Sequence, residues 1–246
     1  MNISLAAEPL FHIGTFPVTN TLVMSWSIIA GLLALVLAGR RRFALVPSGI
    51  GNAVEAVVDG LLSFVDSVTH DRQRSIRFLP IIATIFLFVI ASNWIELVPG
   101  LGTIGLWEVH EGRSVLVPFI RSASADLNVT LAIALFSVVV TQIVGIREVG
   151  AGIHVKKFFN FSGPIMFFVG ILELISEFAK VISFSFRLFG NIFAGEVLLI
   201  VVSTLAPYIV PLPFLILEIF VGFVQALVFA MLTLVNLNMA AVHNEH

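Results

Sequence analysis

The sequence contains no cysteine and little charge. Its 246 residues include no Cys, and only 11% are Asp, Glu, Lys or Arg, whereas a soluble domain has about 25% charged residues. The absence of thiols excludes disulfides and thiolate metal sites. The low charge, with 59% hydrophobic residues and a mean hydropathy of +1.08, argues against a soluble enzyme and indicates a protein that crosses a membrane several times.

The motifs of cofactor and metal chemistry are also missing from the sequence. Its 6 histidines are scattered without an HExxH-like spacing, and we find no glycine-rich phosphate loop or nucleophile motif. A net charge of −2 does not favour a nucleic-acid partner. No internal repeat is evident, which argues against a transporter built from inverted repeats. We therefore predict no metal, no cofactor and no catalytic residue.

Long apolar segments predict an all-α polytopic membrane protein, with a single membrane domain over residues 1–246. About five helices should cross the membrane, over residues 22–39, 78–98, 126–146, 164–205 and 212–241. Apolar and acidic residues of segment 48–70 alternate at helical period, which predicts an amphipathic helix on the inner surface or against a partner subunit. Segment 164–205 would be about 63 Å long at 1.5 Å per residue. We therefore expect the last two helices to form a long, tilted hairpin.

Basic residues are distributed unequally between the connecting segments. One set of connections carries nine of them, and the other set carries two, Arg113 and Arg121. The nine are Arg40, Arg41, Arg42, Arg72, Arg74, Arg77, Arg147, Lys156 and Lys157. By the positive-inside rule the nine are cytoplasmic, so we expect the N-terminus outside and the C-terminus in the cytoplasm.

A permanent charge lies within the longest apolar segment. Arg187 is at the middle of Ser183–Glu196, and an arginine cannot be deprotonated in a protein. At a bilayer centre it costs about 2.5–3.5 kcal/mol, and such residues mark functional sites and normally have a partner. On a helix Glu196 would face nearly the opposite way. Another helix or another protein must therefore supply the counter-charge.

Polar residues of the last two helices, together with a few apolar ones, recur at steps of three and four, which places each set on one helix face. The first set is Glu173, Glu177, Lys180, Phe184, Arg187 and Asn191, and the second is Glu218, Gly222, Gln225, Phe229, Leu232 and Asn236. Glu177 and Lys180 are within pairing reach. The second stripe can line a wet path or supply hydrogen bonds between helices. Asp126 is placed either as a plain helix cap or as a functional carboxylate.

Four short motifs carry a family resemblance. They are Phe186–Asn191 followed by Ala194-Gly195-Glu196, Asn93 with Pro99-Gly100, Ala125–Thr130, and Gln225–Phe229. In order and spacing the chain resembles subunit a of the F-type ATP synthase, the membrane stator subunit of a rotary ion motor.

The resemblance implies a role for each site residue. Arg187 would face the c-ring, and Glu196 and Glu218, with Asn191 and Gln225 beside them, would line the outer aqueous half-channel. Some members carry histidine at the position of Glu218, so this chain departs from them there. The stripe of Glu173, Glu177 and Lys180 would suit the inner half-channel, with Asp126 as a further candidate.

The resemblance also implies the setting of the protein. The chain would be a non-catalytic subunit that couples proton flow to rotation and ATP synthesis. Its partners would be the c-ring, peripheral-stalk b-type subunits and the lipid of a bacterial plasma membrane, although organelles carry relatives. Two other interpretations stay open, namely a secondary transporter with a midplane anion site around Arg187, and a structural scaffold whose polar residues only join helices.

Overall fold

The computed structural model describes residues 7–39, 49–98, 104–110, 113–119, 121–158, 163–207 and 209–242. Its helices are α1 (Asn20–Gly39), α2 (Ile50–Thr69), α3 (Arg72–Ile95), α4 (Leu127–Val149), α5 (Ala151–Phe158), α6 (Pro164–Leu205) and α7 (Pro211–Val242). Within the described ranges, five of these, α1, α3, α4, α6 and α7, have the length and apolar composition to cross a membrane. The predicted helical, polytopic fold class is confirmed. The inner arginines Arg40–Arg42 and the turn at Pro99-Gly100 lie outside the described residues.

Two short β-hairpins, which the sequence analysis did not predict, lie outside the apolar helices. The first pairs β1 (Pro9–Ile13) with β2 (Phe16–Thr19), and the second pairs β3 (Gly105–His110) with β4 (Arg113–Pro118), both antiparallel. Their strands have six residues at most. Strands this short contribute little to the spacing of apolar residues in the sequence, which the long helices dominate.

A side-chain cap starts α3, and a proline opens α6. The side chain of Asp71 accepts hydrogen bonds from the backbone N–H groups of Gln73 and Arg74 at the start of α3. Pro164 occupies the first turn of α6, where its missing N–H costs nothing. From there α6 continues without interruption for 42 residues, and α7 follows after a short connection. The tilt of this hairpin remains a prediction.

Helices α3, α4, α6 and α7 form the core of the molecule. The largest fully buried apolar side chains on them are Ile82, Val89, Leu188, Phe229, Leu234 and Leu237. Buried hydroxyl groups join the helices across this core, because Thr130 of α4 contacts Ser185 of α6 at 3.1 Å and Ser137 contacts Thr233 of α7 at 2.8 Å. Hydrogen bonds of this kind hold membrane helices together where no hydrophobic force distinguishes protein from lipid.

Ion pairs mark one end of the bundle. Arg77 at the start of α3 pairs with Glu148 at the end of α4 at 3.1 Å, and Lys157 of α5 pairs with Glu173 of α6 at 2.6 Å. We call the end that carries these pairs the inner end, following the predicted topology. The opposite end, where α3 and α7 meet the segment before α4, is the outer end.

Candidate functional site

Arg187 lies on an open face of α6. Its side chain is exposed, as are those of its apolar neighbours Ile182 and Phe186, each at 55%. Among the residues that the structure describes, no carboxylate pairs with Arg187. A cation in a helix of membrane-spanning length normally has a counter-charge, and the described residues of this chain do not supply one.

The predicted polar stripe on α6 is divided. Phe184, a member of that stripe, is buried and packs against Phe229 of α7 with ring centroids 5.5 Å apart, whereas Arg187 and Asn191 are exposed. The stripe therefore does not form one continuous surface. Its inner members and Arg187 belong to different parts of the site.

Asn191 is hydrogen-bonded to the last helix. Its Nδ2 donates to Oε1 of the buried Gln225 at 2.6 Å. The Nε2 of Gln225 is buried and has no hydrogen-bond partner among the described residues. An unpaired buried donor is costly, so this amide marks a place for water or an incoming polar group.

An unpredicted ion pair occupies the outer end. Arg121, only 7% exposed, donates from Nε to Oε1 of Glu196 at 3.1 Å and from Nη2 to Oε2 at 3.0 Å. This forked contact is the strong form of a guanidinium–carboxylate pair. Glu196 thus faces the bundle, nearly opposite Arg187, as the helical spacing predicted.

Two more carboxylates lie beside this pair. Glu218 of α7 is seated on Gly195, because a Cβ atom at position 195 would overlap its carboxylate. Glu96 follows the end of α3. Burial of its carboxyl group raises the pKa of Glu96 to about 8, the charge of Glu196 adds to that increase, and Arg121 opposes it. We call Glu96, Arg121, Glu196 and Glu218 the outer cluster.

A cavity of about 230 Å³ lies at the inner end. The three residues predicted for the inner half-channel all line it, and Glu177 forms the predicted pair with Lys180 at 2.8 Å. The polar lining is completed by Thr141, Gln142, His154, Lys157 and Asn236. We call this set the inner cluster.

Helix α5 closes one side of the inner cavity. The Nε2 atom of His154 lies 2.7 Å from Oε1 of Gln142. Burial lowers the pKa of His154, and the positive charge of Lys157 lowers it further, while Glu177 acts in the opposite direction. His154 is therefore held towards its neutral form.

Asp126 has the geometry of a helix cap. Its Oδ1 accepts from the backbone N–H of Asn128 at 2.8 Å, and its Oδ2 accepts from the hydroxyl of Thr21 in α1 at 2.7 Å. These bonds account for both oxygens of a buried carboxylate. The cap interpretation of Asp126 explains its geometry without a role in transport.

Sequence reasoning missed Arg121, Glu96 and His154 as site residues. Arg121 and Glu196 are 75 positions apart, so no helical spacing could connect them. The available signal was the rarity of charge, because Arg121 is one of only two basic residues assigned to the outer connections.

Comparison with known proteins identifies the family. The family described as ATP synthase A chain matches residues 22–238. The chain is 34% identical over 227 residues to ATP synthase subunit a of Citrifermentans bemidjiense, covering 91% of this chain and 88% of that one. It is 35% identical over 222 residues to ATP synthase subunit a of Campylobacter jejuni, covering 88% of each chain. The chain therefore belongs to the ATP synthase A chain family.

Proposed function

We propose that this chain is the proton-translocating stator subunit of an F-type ATP synthase, in which Arg187 faces the c-ring between two offset aqueous half-channels. The observation that carries the proposal is the position of Arg187 on an open, apolar face of α6, where no carboxylate of the described residues pairs with it. Family membership supports the general role, and the geometry supports the assignment of residues.

The spacing along α6 supports two half-channels. Glu196 is nine residues beyond Arg187 and Glu177 is ten residues before it, which corresponds to about 14 Å and 15 Å along the axis. Together these distances match a hydrocarbon core of about 30 Å. At about 100° per residue the two carboxylates differ by about 100° around the helix, so the inner and outer clusters are offset sideways.

The outer half-channel would contain the outer cluster, with Asn191 and Gln225 between it and Arg187. The inner half-channel would contain Glu173, Glu177 and Lys180 around the inner cavity. A proton would enter one half-channel, bind to a carboxylate of the c-ring, travel with the ring through lipid and leave by the other.

Arg187 would prevent a direct passage. A carboxylate of the ring that comes close to the guanidinium is favoured in its ionised form, so it releases its proton there. Away from Arg187, the apolar surroundings favour the neutral form. Each proton that moves down 100 mV supplies about 2.3 kcal/mol, and the ring can gain that energy only by turning.

The proposal includes the surroundings of the chain. The exposed apolar surfaces of α6, α7 and α1 would contact the c-ring, b-type subunits of the peripheral stalk and lipid. The membrane would be a bacterial plasma membrane, with the N-terminus outside and the C-terminus in the cytoplasm.

The test is Arg187→Ala in the assembled complex in inverted membrane vesicles. ATP synthesis and ATP-driven proton pumping, followed by a pH-sensitive dye, should fall to background while the c-ring still co-purifies with the chain. The matched control is Arg147→Ala, which removes an exposed arginine at the end of α4 and should leave pumping intact. Full pumping by Arg187→Ala would overturn the proposal.

Two further measurements separate the alternatives. A secondary transporter should move an anion when this chain alone is placed in liposomes, whereas the rotary proposal predicts no transport without a c-ring. A structural scaffold should tolerate Arg187→Lys and Arg187→Gln. The rotary proposal predicts severe loss of coupled pumping in both variants.

A further inference from the structure

The segment that carries Arg121 is anchored to three helices. Residues 121–126 are all buried. The hydroxyl of Ser122 donates to the backbone oxygen of Ser92 in α3 at 3.0 Å, and Asp126 binds Thr21 of α1 and caps α4. Arg121 thus extends from a fixed backbone towards α6.

The contact with Glu196 is directed and not merely close. Nε of Arg121 lies within hydrogen-bond distance of both carboxylate oxygens, at 3.1 Å and 3.3 Å, and Nη2 lies 3.0 Å from Oε2. Both side chains are largely buried, with 8% and 16% of their surfaces exposed. A planar guanidinium fixes both the charge and the plane of the carboxylate that it binds.

The charges around Glu96 are unbalanced. The charged groups that act on it are Glu196 and Glu218, which are negative when ionised, and Arg121, which is always positive. If all three carboxylates ionised, this partly buried cluster would carry an excess of negative charge, which a low-dielectric site disfavours. Because Arg121 makes its forked contact with Glu196, Glu96 is the carboxyl of the outer cluster that can hold a proton.

We propose that Arg121 is a positioning residue of the outer half-channel: it neutralises and orients Glu196, and so leaves Glu96 as the group of the outer cluster that exchanges a proton with the outer solution. This inference rests on the proposed function, because it assumes that protons enter through the outer cluster. It adds a second arginine, different from Arg187 in burial and in partner.

The experiment measures passive proton conduction through the membrane sector of the reconstituted complex as a function of pH. Arg121 lowers and Glu196 raises the pKa of Glu96, so their removal has opposite signs. Arg121→Gln should move the pH profile to the alkaline side, and Glu196→Gln should move it to the acid side, each by about one pH unit or more. The double variant should return close to the wild-type profile.

Arg121→Lys supplies the conservative variant. It keeps the charge but loses the forked contact, so it should keep the wild-type pH profile while conduction falls several-fold. A residue with only a structural role would lower the rate in all variants without moving the profile. The proposal is overturned if Arg121→Gln and Glu196→Gln shift the profile in the same direction or not at all while the complex assembles.

An infrared readout covers the case in which Arg121→Gln disrupts assembly. The absorption of protonated carboxyl groups is measured in the complex from pH 6 to 10, and the spectrum of Glu96→Gln is subtracted from that of the wild type. The difference reports the titration of Glu96 itself. It should move to the acid side in Glu196→Gln, and an unchanged titration would overturn the inference. If the wild-type complex showed no proton conduction that depends on Arg187, the proposed function would fail. If conduction were normal but the pH profiles of the wild type, Arg121→Gln and Glu196→Gln coincided, only the inference about Arg121 would fail.

Discussion

Asn191 of α6 donates a hydrogen bond of 2.6 Å to the side-chain oxygen of Gln225 in α7, one helical turn beyond Arg187. The bond joins α6, which carries Arg187, to α7. Since Asn191 is exposed and Gln225 is only 5% exposed, the pair connects the open face of α6 with the interior.

The first prediction concerns the strength of this connection. In a double-mutant cycle of Asn191→Ala and Gln225→Ala, we expect a coupling free energy of about 0.5–1.5 kcal/mol for unfolding in mixed micelles, as for other hydrogen bonds between membrane helices. Ser183→Ala, an exposed change on the same helix, should alter the unfolding free energy by less than about 0.5 kcal/mol. Additive single changes would show that the bond does not hold the helices together.

The second prediction concerns Glu96 and alkaline pH. Its pKa is raised from 4.5 to about 8 in the folded protein, so between these values the folded state binds a proton that the unfolded state has lost. Stability therefore falls as pH rises from about 4.5 to about 8 and levels off above that range. Glu96→Gln should remove this slope.

The measurement for Glu96 is the melting temperature of the purified complex at intervals from pH 5 to 9.5. We expect the difference between wild type and Glu96→Gln to change steadily up to pH 8 and then to become constant. Parallel curves over the whole range would contradict the raised pKa. Glu55→Gln, on the exposed face of α2, is the matched control.

The third prediction concerns Gly195. A Cβ atom at this position would overlap the Glu218 carboxylate, and a side-chain end can move aside at low cost. Gly195→Ala should therefore displace Glu218 and slow proton entry. Its effect on stability should be small, since the gain of about 1 kcal/mol in helix propensity offsets the strain.

Gly31→Ala in α1 is the control for this change, because nothing lies within 4 Å of a Cβ atom there. It should leave proton entry unchanged. The two variants are compared by passive proton conduction and by melting temperature. Equal conduction in both would show that the position of Glu218 does not matter for entry.

The fourth prediction concerns His154 and acidic pH. Burial and Lys157 lower its pKa below 6.5, so in the range just below 6.5 the unfolded state binds a proton that the folded state does not. The contribution of His154 to the stability of the folded state is therefore present above pH 6.5, and it is lost as the pH falls through the lowered pKa. Helix α5, which carries His154, should loosen first.

Hydrogen exchange of the α5 amides at pH 5 and pH 7.5, corrected for the intrinsic rates, measures this loosening. Protection should fall at pH 5 in the wild-type protein and should depend less on pH in His154→Gln. The titratable and charged groups around His154 are Lys157, Glu173, Glu177 and Lys180. His12→Gln, at an exposed position of β1, should behave as wild type.

The sequence predicted the long helices well because their signal is local. Apolar length and period gave a helix over 164–205, and the structure has α6 at Pro164–Leu205. The hairpins and α5 were missed because elements of eight residues or fewer carry too few residues to establish a period. Helix α5 depends on its packing beneath α6, where Gly170 lies against the backbone of Phe158.

The site was predicted in part for the same reason. Pairing of Glu177 with Lys180 needs only a spacing of three on one helix. The bond of Arg121 with Glu196, by contrast, depends on how the segment before α4 is held by Ser92 and Thr21. The buried position of Phe184 within the expected polar stripe also depends on α7, whose contact no α6 pattern reveals.

The unbroken course of α6 has a consequence for how this chain can change over evolution. Because α6 is a single continuous helix, it fixes the positions of Glu177, Arg187 and Glu196 along the helix axis and their angles around it. Adding or deleting one residue between Arg187 and Glu196 would rotate one of them by about 100° around the helix axis. Either Arg187 would leave the open face or Glu196 would lose its contact with Arg121. Length variation in this part of the chain should therefore be confined to the two ends of α6.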